Sequence, residues 1–313
     1  MTCGCLVTKP LFLYATGTAF FAEIMGTHFG AVSGASMTLN PTGGRKVWWG
    51  GEVTDDPFWR CLDERKWDAR KVDYPAAILP MGPSIDTGVT MTCNHLLSTP
   101  SGTPFMLGGY SQGAAVMSKV YRELKTGSLT SRWSDFKGAV LFGNPMRQQD
   151  FLAPGLTWSG AWDVPGSTTG GSGCFPDRLS GCDYGLWREY VNHNEVITAT
   201  GTSANGAGWR SAVGFLTGMV DPLTNLHNLT TTTWIEGTAA ALAIGADGHM
   251  AYPTSPPITY AGQTFSPGTS TSYELALAFV NSVYDGLSIT GILPTSDPSM
   301  SKPWKTYIPF PAA

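Results

Sequence analysis

The residues whose types and spacing carry chemistry centre on Gly109-Tyr-Ser-Gln-Gly113. This pentapeptide fits G-x-S-x-G, and it follows an apolar run and precedes an amphipathic one. That context predicts a tight strand-to-helix turn that lifts the Ser111 hydroxyl to the carboxyl edge of a sheet. Side chains flanking such a turn would clash, so Gly109 and Gly113 have to be small. A helix starting at Gln112 places N-terminal N–H groups beside the serine, and the Gln112 N–H can donate to a developing oxyanion. A second donor is expected from the loop after the first strand, Thr16-Gly-Thr18. Thr18 is favoured there because Gly17 lets the backbone turn toward the serine.

A neutral serine hydroxyl is a poor nucleophile and needs a base. Around this motif the chain order is serine, acid, histidine. Of the five histidines, His28 and His95 precede Ser111, His193 ends a strand candidate and His227 lies in a helical stretch. His249 lies late, in Gly245-Ala-Asp-Gly-His-Met-Ala-Tyr-Pro253, and is the candidate base. The acid must orient His249 and stabilise its cation. Glu195 follows a strand candidate, and Asp183, Asp221 and Asp247 compete with it. Asp247 is so near the histidine that it reads as a turn residue, and Asp221, before Pro222, reads as a cap.

These groups need elements to hold them. Leu11–Ala15, Phe105–Gly109, Ala139–Phe142 and Trp187–Val191 read as short buried strands. Helices are expected from an N-cap at Ser84 to about Leu97, from Gln112 to about Leu124, and from Tyr273 to about Val283. Strands alternating with helices predict an α/β fold whose central parallel sheet is flanked by helices. Residues 19–72 read as irregular and Trp-rich, and residues 154–183 as a long loop rich in Gly, Ser and Pro. Both are expected to face the substrate. Residues 209–245 read as a small helical insertion before His249, which leaves 1–208 and 246–313 as the catalytic domain.

Composition narrows the partners. Lys and Arg number 19 and Asp and Glu 23, so charged residues are 13% of the 313, about half the usual share. A net charge of −4 without a basic block excludes a dedicated nucleic-acid binder. No apolar run is long enough for a spanning helix. A surface rich in Gly, Ser, Thr, Asn and aromatics suits apolar or sugar ligands. The six cysteines show no zinc spacing and are expected mostly as free thiols, with Cys174 and Cys182 placed to bridge across a short loop. Lys9 is the only early cation, so the N-terminus is not read as a signal peptide, and export would need another route.

Several segments together resemble the lysin B esterases of mycobacteriophages, relatives of the cutinases within the α/β hydrolases. They are Tyr74-Pro-Ala-Ala77, Pro80-Met-Gly-Pro-Ser84 with Gly88-Val89, and Gly109-Tyr-Ser-Gln-Gly-Ala114. Gly143-Asn-Pro-Met-Arg-Gln148, Gly248-His249 and Tyr252-Pro253 complete the set, in the same order and at similar spacing from about residue 10 to 285. The resemblance implies a cutinase-like α/β-hydrolase fold and an esterase that cuts the mycolic acid–arabinogalactan ester during phage lysis. It implies Ser111 as nucleophile and His249 as base, without metal or cofactor. The family's aspartate falls on Glu195, a departure by one methylene. The implied partner is a mycolyl-arabinogalactan or related lipid ester, reached by peripheral contact with the envelope of the host in whose cytoplasm the protein is made. A broader cutinase or lipase acting on free lipid esters, and a non-catalytic envelope-binding protein, are the competing readings.

Overall fold

Leu11–Ala15 is apolar throughout because it is covered on both faces. Leu11, Leu13 and Ala15 point into one core, Phe12 and Tyr14 into the other, the two-residue alternation of a strand. In the computed structural model of the chain, residues 9–17, 58–77, 81–149, 171–183, 185–191, 197–198, 200, 204–216, 259–260 and 272–287 are described. The strands are β1 (Leu11–Ala15), β2 (Asp68–Val72), β3 (Phe105–Tyr110), β4 (Phe136–Phe142), β5 (Trp187–Val191) and β6 (Thr259–Tyr260). The helices are α1 (Met81–Ser98), α2 (Gln112–Thr126), α3 (Ala204–Leu216) and α4 (Ser272–Asp285). None of the described helices is long and apolar enough to cross a membrane.

The sheet order is β2-β1-β3-β4-β5-β6. Strands β1 to β5 run parallel, and β6 pairs with β5 in the opposite sense. Helices α1 and α2 cover one face through Ile85, Leu96, Val116, Val120 and Leu124. Helix α4 covers the other, where Tyr273 and Phe279 meet Phe58, Val140 and Phe142. The rings of Phe58 and Tyr273 sit 5.3 Å apart, edge to face. The expected doubly covered parallel sheet is therefore present, as an α/β-hydrolase arrangement.

Four sequence expectations are corrected. Strand β2 lies inside the stretch read as irregular; among the described residues Asp-Ala-Arg-Lys-Val is an edge strand with one neighbour, and its outer residues stay charged. Helix α1 starts at Met81, so Ser84 is a buried first-turn residue and not its cap. Helix α3 starts at Ala204, ahead of residue 209. Finally, the Trp-rich and Gly-rich segments are not purely outward-facing: Phe58, Trp67, Cys174, Phe175 and Leu179 are core residues. Cys174 and Cys182 are both free thiols, as is Cys93. Burial pushes the Cys93 thiol up to about 11, which leaves it protonated and unreactive at neutral pH.

Candidate active site

The site is built where β3 turns into α2. Ser111 takes φ +53° and ψ −120°, a conformation L-residues rarely adopt. It is held by its neighbours: the Ser111 N–H donates to the Phe142 carbonyl on β4 (2.9 Å), and its own carbonyl accepts from the Ala114 N–H (2.9 Å). The two motif glycines have different steric reasons. A Cβ on Gly109 would lie 2.7 Å from the Gly113 carbonyl oxygen, inside the turn itself. A Cβ on Gly113 would lie 2.0 Å from the Ala15 carbonyl oxygen, so α2 is seated directly on the end of β1. The same closeness brings the first-strand loop to the serine. A Cβ on Gly17 would be 3.3 Å from Ser111 Cβ.

Helix α2 has no acidic residue in its first turn, so the positive end of its dipole is left for a ligand anion. The Gln112 main chain opens this helix beside Ser111. Its side chain has a task the sequence did not disclose. Gln112 Nε2 donates to the Ala77 carbonyl (2.7 Å), and its Oε1 accepts from Ser84 Oγ (3.2 Å). Ser84 Oγ in turn accepts the Ala77 N–H (3.0 Å). This closed ring clamps the 74–77 segment, in which Ala76 is held at φ +49°, against the nucleophile helix. Tyr74 adds a second tie, its hydroxyl donating to the Thr16 carbonyl (2.6 Å) at the start of the loop that leads to Thr18. Burial pushes the Tyr74 phenol well up, so it stays a donor. Among the described residues, Ala76 and Ser111 are the non-glycine residues at positive φ.

The Gly143-Asn-Pro-Met-Arg-Gln148 segment is a hub at the carboxyl end of β4. The Asn144 amide donates to Glu189 (2.7 Å) and to Ser118 (3.0 Å), and the Trp187 indole donates to the same Glu189 oxygen (2.8 Å). Main-chain groups of Pro145, Met146 and Arg147 accept from Phe175, Leu179 and Gly173, and Gln148 accepts the Cys182 N–H. Arg147 is fully buried, with Nε 3.7 Å from Glu189 Oε2. Burial pushes the Glu189 carboxyl up, and the Arg147 charge, the indole and the amide draw it back.

Replacing Arg147 with methionine leaves that carboxylate buried without a counter-charge, an expected cost of about 3–5 kcal/mol. The folded Glu189 carboxyl then titrates still further above its unfolded range, so stability is full at low pH and is lost as pH rises. The deficit relative to the parent should be larger at pH 8 than at pH 5. Urea midpoints at the two pH values check this, and equal deficits would refute the linkage.

The sequence-predicted site residues divide by location. Ser111 and Gln112 are described and meet as expected at the carboxyl edge. Thr18, Glu195, His249, Asp221 and Asp247 lie outside the described residues. Asp183 lies before β5, at the amino edge, where its carboxylate accepts the Gly185 N–H (2.7 Å). That is a turn role at the edge opposite Ser111. His95 occupies the last turn of α1, also at the amino edge.

Residues 45–169, which hold β2, α1, β3, the turn and α2, match the cutinase family. Endolysin B of Mycobacterium phage D29 is 31% identical over 135 residues, 41% of this chain and 51% of that protein. Endolysin B of Mycobacterium phage L5 is 29% identical over 135 residues, again 41% and 51% of the two chains. The aligned chain thus spans about half the length of these curated relatives. The crystal structure of lysin B from Mycobacteriophage D29 superposes with a TM-score of 0.52 at 20% identity, covering 88% of this chain and 100% of that one. The chain is therefore similar to lysin B, with a cutinase-family segment set in an α/β-hydrolase fold.

Proposed function

We propose that the chain is a serine esterase of phage lysis that hydrolyses the mycolic acid–arabinogalactan ester of a mycobacterial-type wall. The observation that carries this reading is Ser111 held at positive φ between Gly109 and Gly113, at the head of a helix with an unneutralised N-terminus. The similarity to endolysin B supports it. In the proposed mechanism His249, oriented by Glu195, takes the Ser111 proton as the oxygen attacks the ester carbonyl. The Gln112 and Thr18 N–H groups hold the oxyanion. His249 then protonates the leaving sugar alcohol, and water attacks the acyl-serine with His249 again as base. The residues in these roles need no metal or cofactor. Residues 209–245 form the helical insertion over the site in this reading, between catalytic segments 1–208 and 246–313.

The cutinase match favours a second reading, a lipase acting on free lipid esters. Purified cell-wall core separates the two. Release of free mycolic acid supports the first; triglyceride cleavage without that release replaces it with the second. Wall binding with no esterase activity at all would leave a binding protein. Glu195→Gln should lower kcat by about 10³–10⁴-fold, less than loss of the serine. Full activity in that variant would move the acid role to Asp221, since Asp183 sits at the opposite edge of the sheet.

A further inference from the structure

Two parts of the molecule meet on the Thr16 carbonyl, just after β1. It accepts the Tyr74 hydroxyl (2.6 Å). It also lies against the start of α2, since a Cβ on Gly113 would be 2.5 Å from its oxygen. The next residue, Gly17, reaches the nucleophile, with a Cβ there 3.3 Å from Ser111 Cβ. Across a trans peptide the carbonyl and the following N–H point in opposite directions. Holding the Thr16 carbonyl therefore fixes the peptide plane of Gly17, and with it the course of the chain toward Thr18.

Tyr74 is itself held on two sides. Its ring is buried against Gly88 of α1, where a Cβ would lie 3.1 Å from Tyr74 Cγ. Three residues on, Ala77 is bonded through both of its main-chain groups to Gln112 and Ser84. The path from the Gln112 side chain through Ala77 and Tyr74 to Thr16 leaves the nucleophile helix and returns to the loop beside Ser111. One end is the residue whose N–H opens α2, and the other is the loop expected to supply the second oxyanion donor. Such donors work only within a few tenths of an ångström of hydrogen-bond distance from the developing charge. Burial keeps the phenol protonated, so the Tyr74 donor is present across the neutral range.

We propose that Tyr74 is a positioning residue for ester hydrolysis: its hydroxyl, anchored from the nucleophile helix, sets the distance between the two oxyanion donors. This rests on the esterase reading and deepens it.

The test compares the full chain with Tyr74→Phe, which keeps the ring and loses the hydroxyl. On a short-chain nitrophenyl ester kcat should fall about tenfold with KM within about twofold, short of the roughly 10²-fold that a 1 Å misplacement can cost. An alkylboronic acid adds reversibly to a serine hydroxyl and presents a tetrahedral oxyanion, so its inhibition constant should rise by the same factor. A bond that served stability alone would lower the urea midpoint and leave kcat and the inhibition constant at parent values, which overturns the proposal. A fall in kcat without a matching loss of boronic acid affinity also overturns it. If Tyr74→Phe does not fold, Ser84→Ala loosens the Ala77 end of the same path, and both constants should move together by about threefold. Parent values in that variant would again overturn the proposal. A parent chain that neither cleaves the ester nor binds the boronic acid sinks the esterase reading and this inference with it. Parent-level catalysis in a folded Tyr74→Phe variant sinks the inference alone.

Discussion

Ser111→Ala should lower turnover of a nitrophenyl ester by about 10⁴–10⁶-fold, with a stability change under about 1 kcal/mol. The two halves of this expectation have different causes. In the proposed mechanism the Ser111 hydroxyl forms the acyl intermediate, so its loss removes the covalent route and leaves whatever the oxyanion donors and binding achieve alone. The fold does not depend on that hydroxyl. What holds residue 111 at positive φ is main-chain bonding to Phe142 and Ala114, and alanine makes both bonds. The measurement pairs single-turnover kinetics with urea unfolding. Residual activity within tenfold of the parent would show that another residue is the nucleophile.

Gly113→Ala should be among the most damaging single methyls at the described glycines. Its carbon would sit 2.0 Å from the Ala15 oxygen and 2.5 Å from that of Thr16. Both are main-chain atoms, one on β1, which is hydrogen-bonded between β2 and β3, and one on the loop after it, so neither can swing aside. Either α2 lifts off β1 or the turn rearranges, and each loses packing at Ala114, Ala115 and Val116, which are fully buried. A cost above about 3 kcal/mol is expected, with activity lost along with the fold. Gly102→Ala supplies the contrast. That glycine has φ +85° but open space around it, so only the backbone preference is lost, about 1 kcal/mol. Urea midpoints of the two variants should differ clearly, and similar values would mean that the β1–α2 contact relaxes easily.

The same physics explains how much the sequence disclosed. Strands β1 and β3 and residues 139–142 of β4 are covered on both faces, so they appear as uninterrupted apolar runs, whereas β5 carries Arg188 and Glu189 between apolar residues. Strand β2 has one neighbour and charged outer residues, and leaves no such run. Ser111 was legible because its turn needs two glycines at fixed offsets. The Gln112–Ser84–Ala77 ring was not, because a glutamine bonded to a distant carbonyl is spelled like any surface glutamine. Glu189 was hidden for the same reason: a buried, paired carboxylate cannot be told from a solvated one by type. The Gly143–Gln148 segment stood out by resemblance, and its physical role, gathering residues 173–182 onto the end of β4, appears only in space. Phe175 and Leu179 were masked by the Gly, Ser and Pro around them.

The strand order also bears on how the protein comes to life. Leu11 pairs with Phe105, and β3 then pairs with β4, so the nucleophile turn sits between partners far apart in sequence. Non-local parallel pairing is slow to nucleate, because a long loop must close before any contact rewards it. Tyr273 on α4, which follows all five parallel strands in sequence, then seals Phe58 and Phe142. A nascent polypeptide released short of α4 would carry the full Gly-Tyr-Ser-Gln-Gly turn without the layer that closes its sheet. Maturation of the hydroxyl's surroundings is thus tied to the synthesis of α4, a delay set by topology.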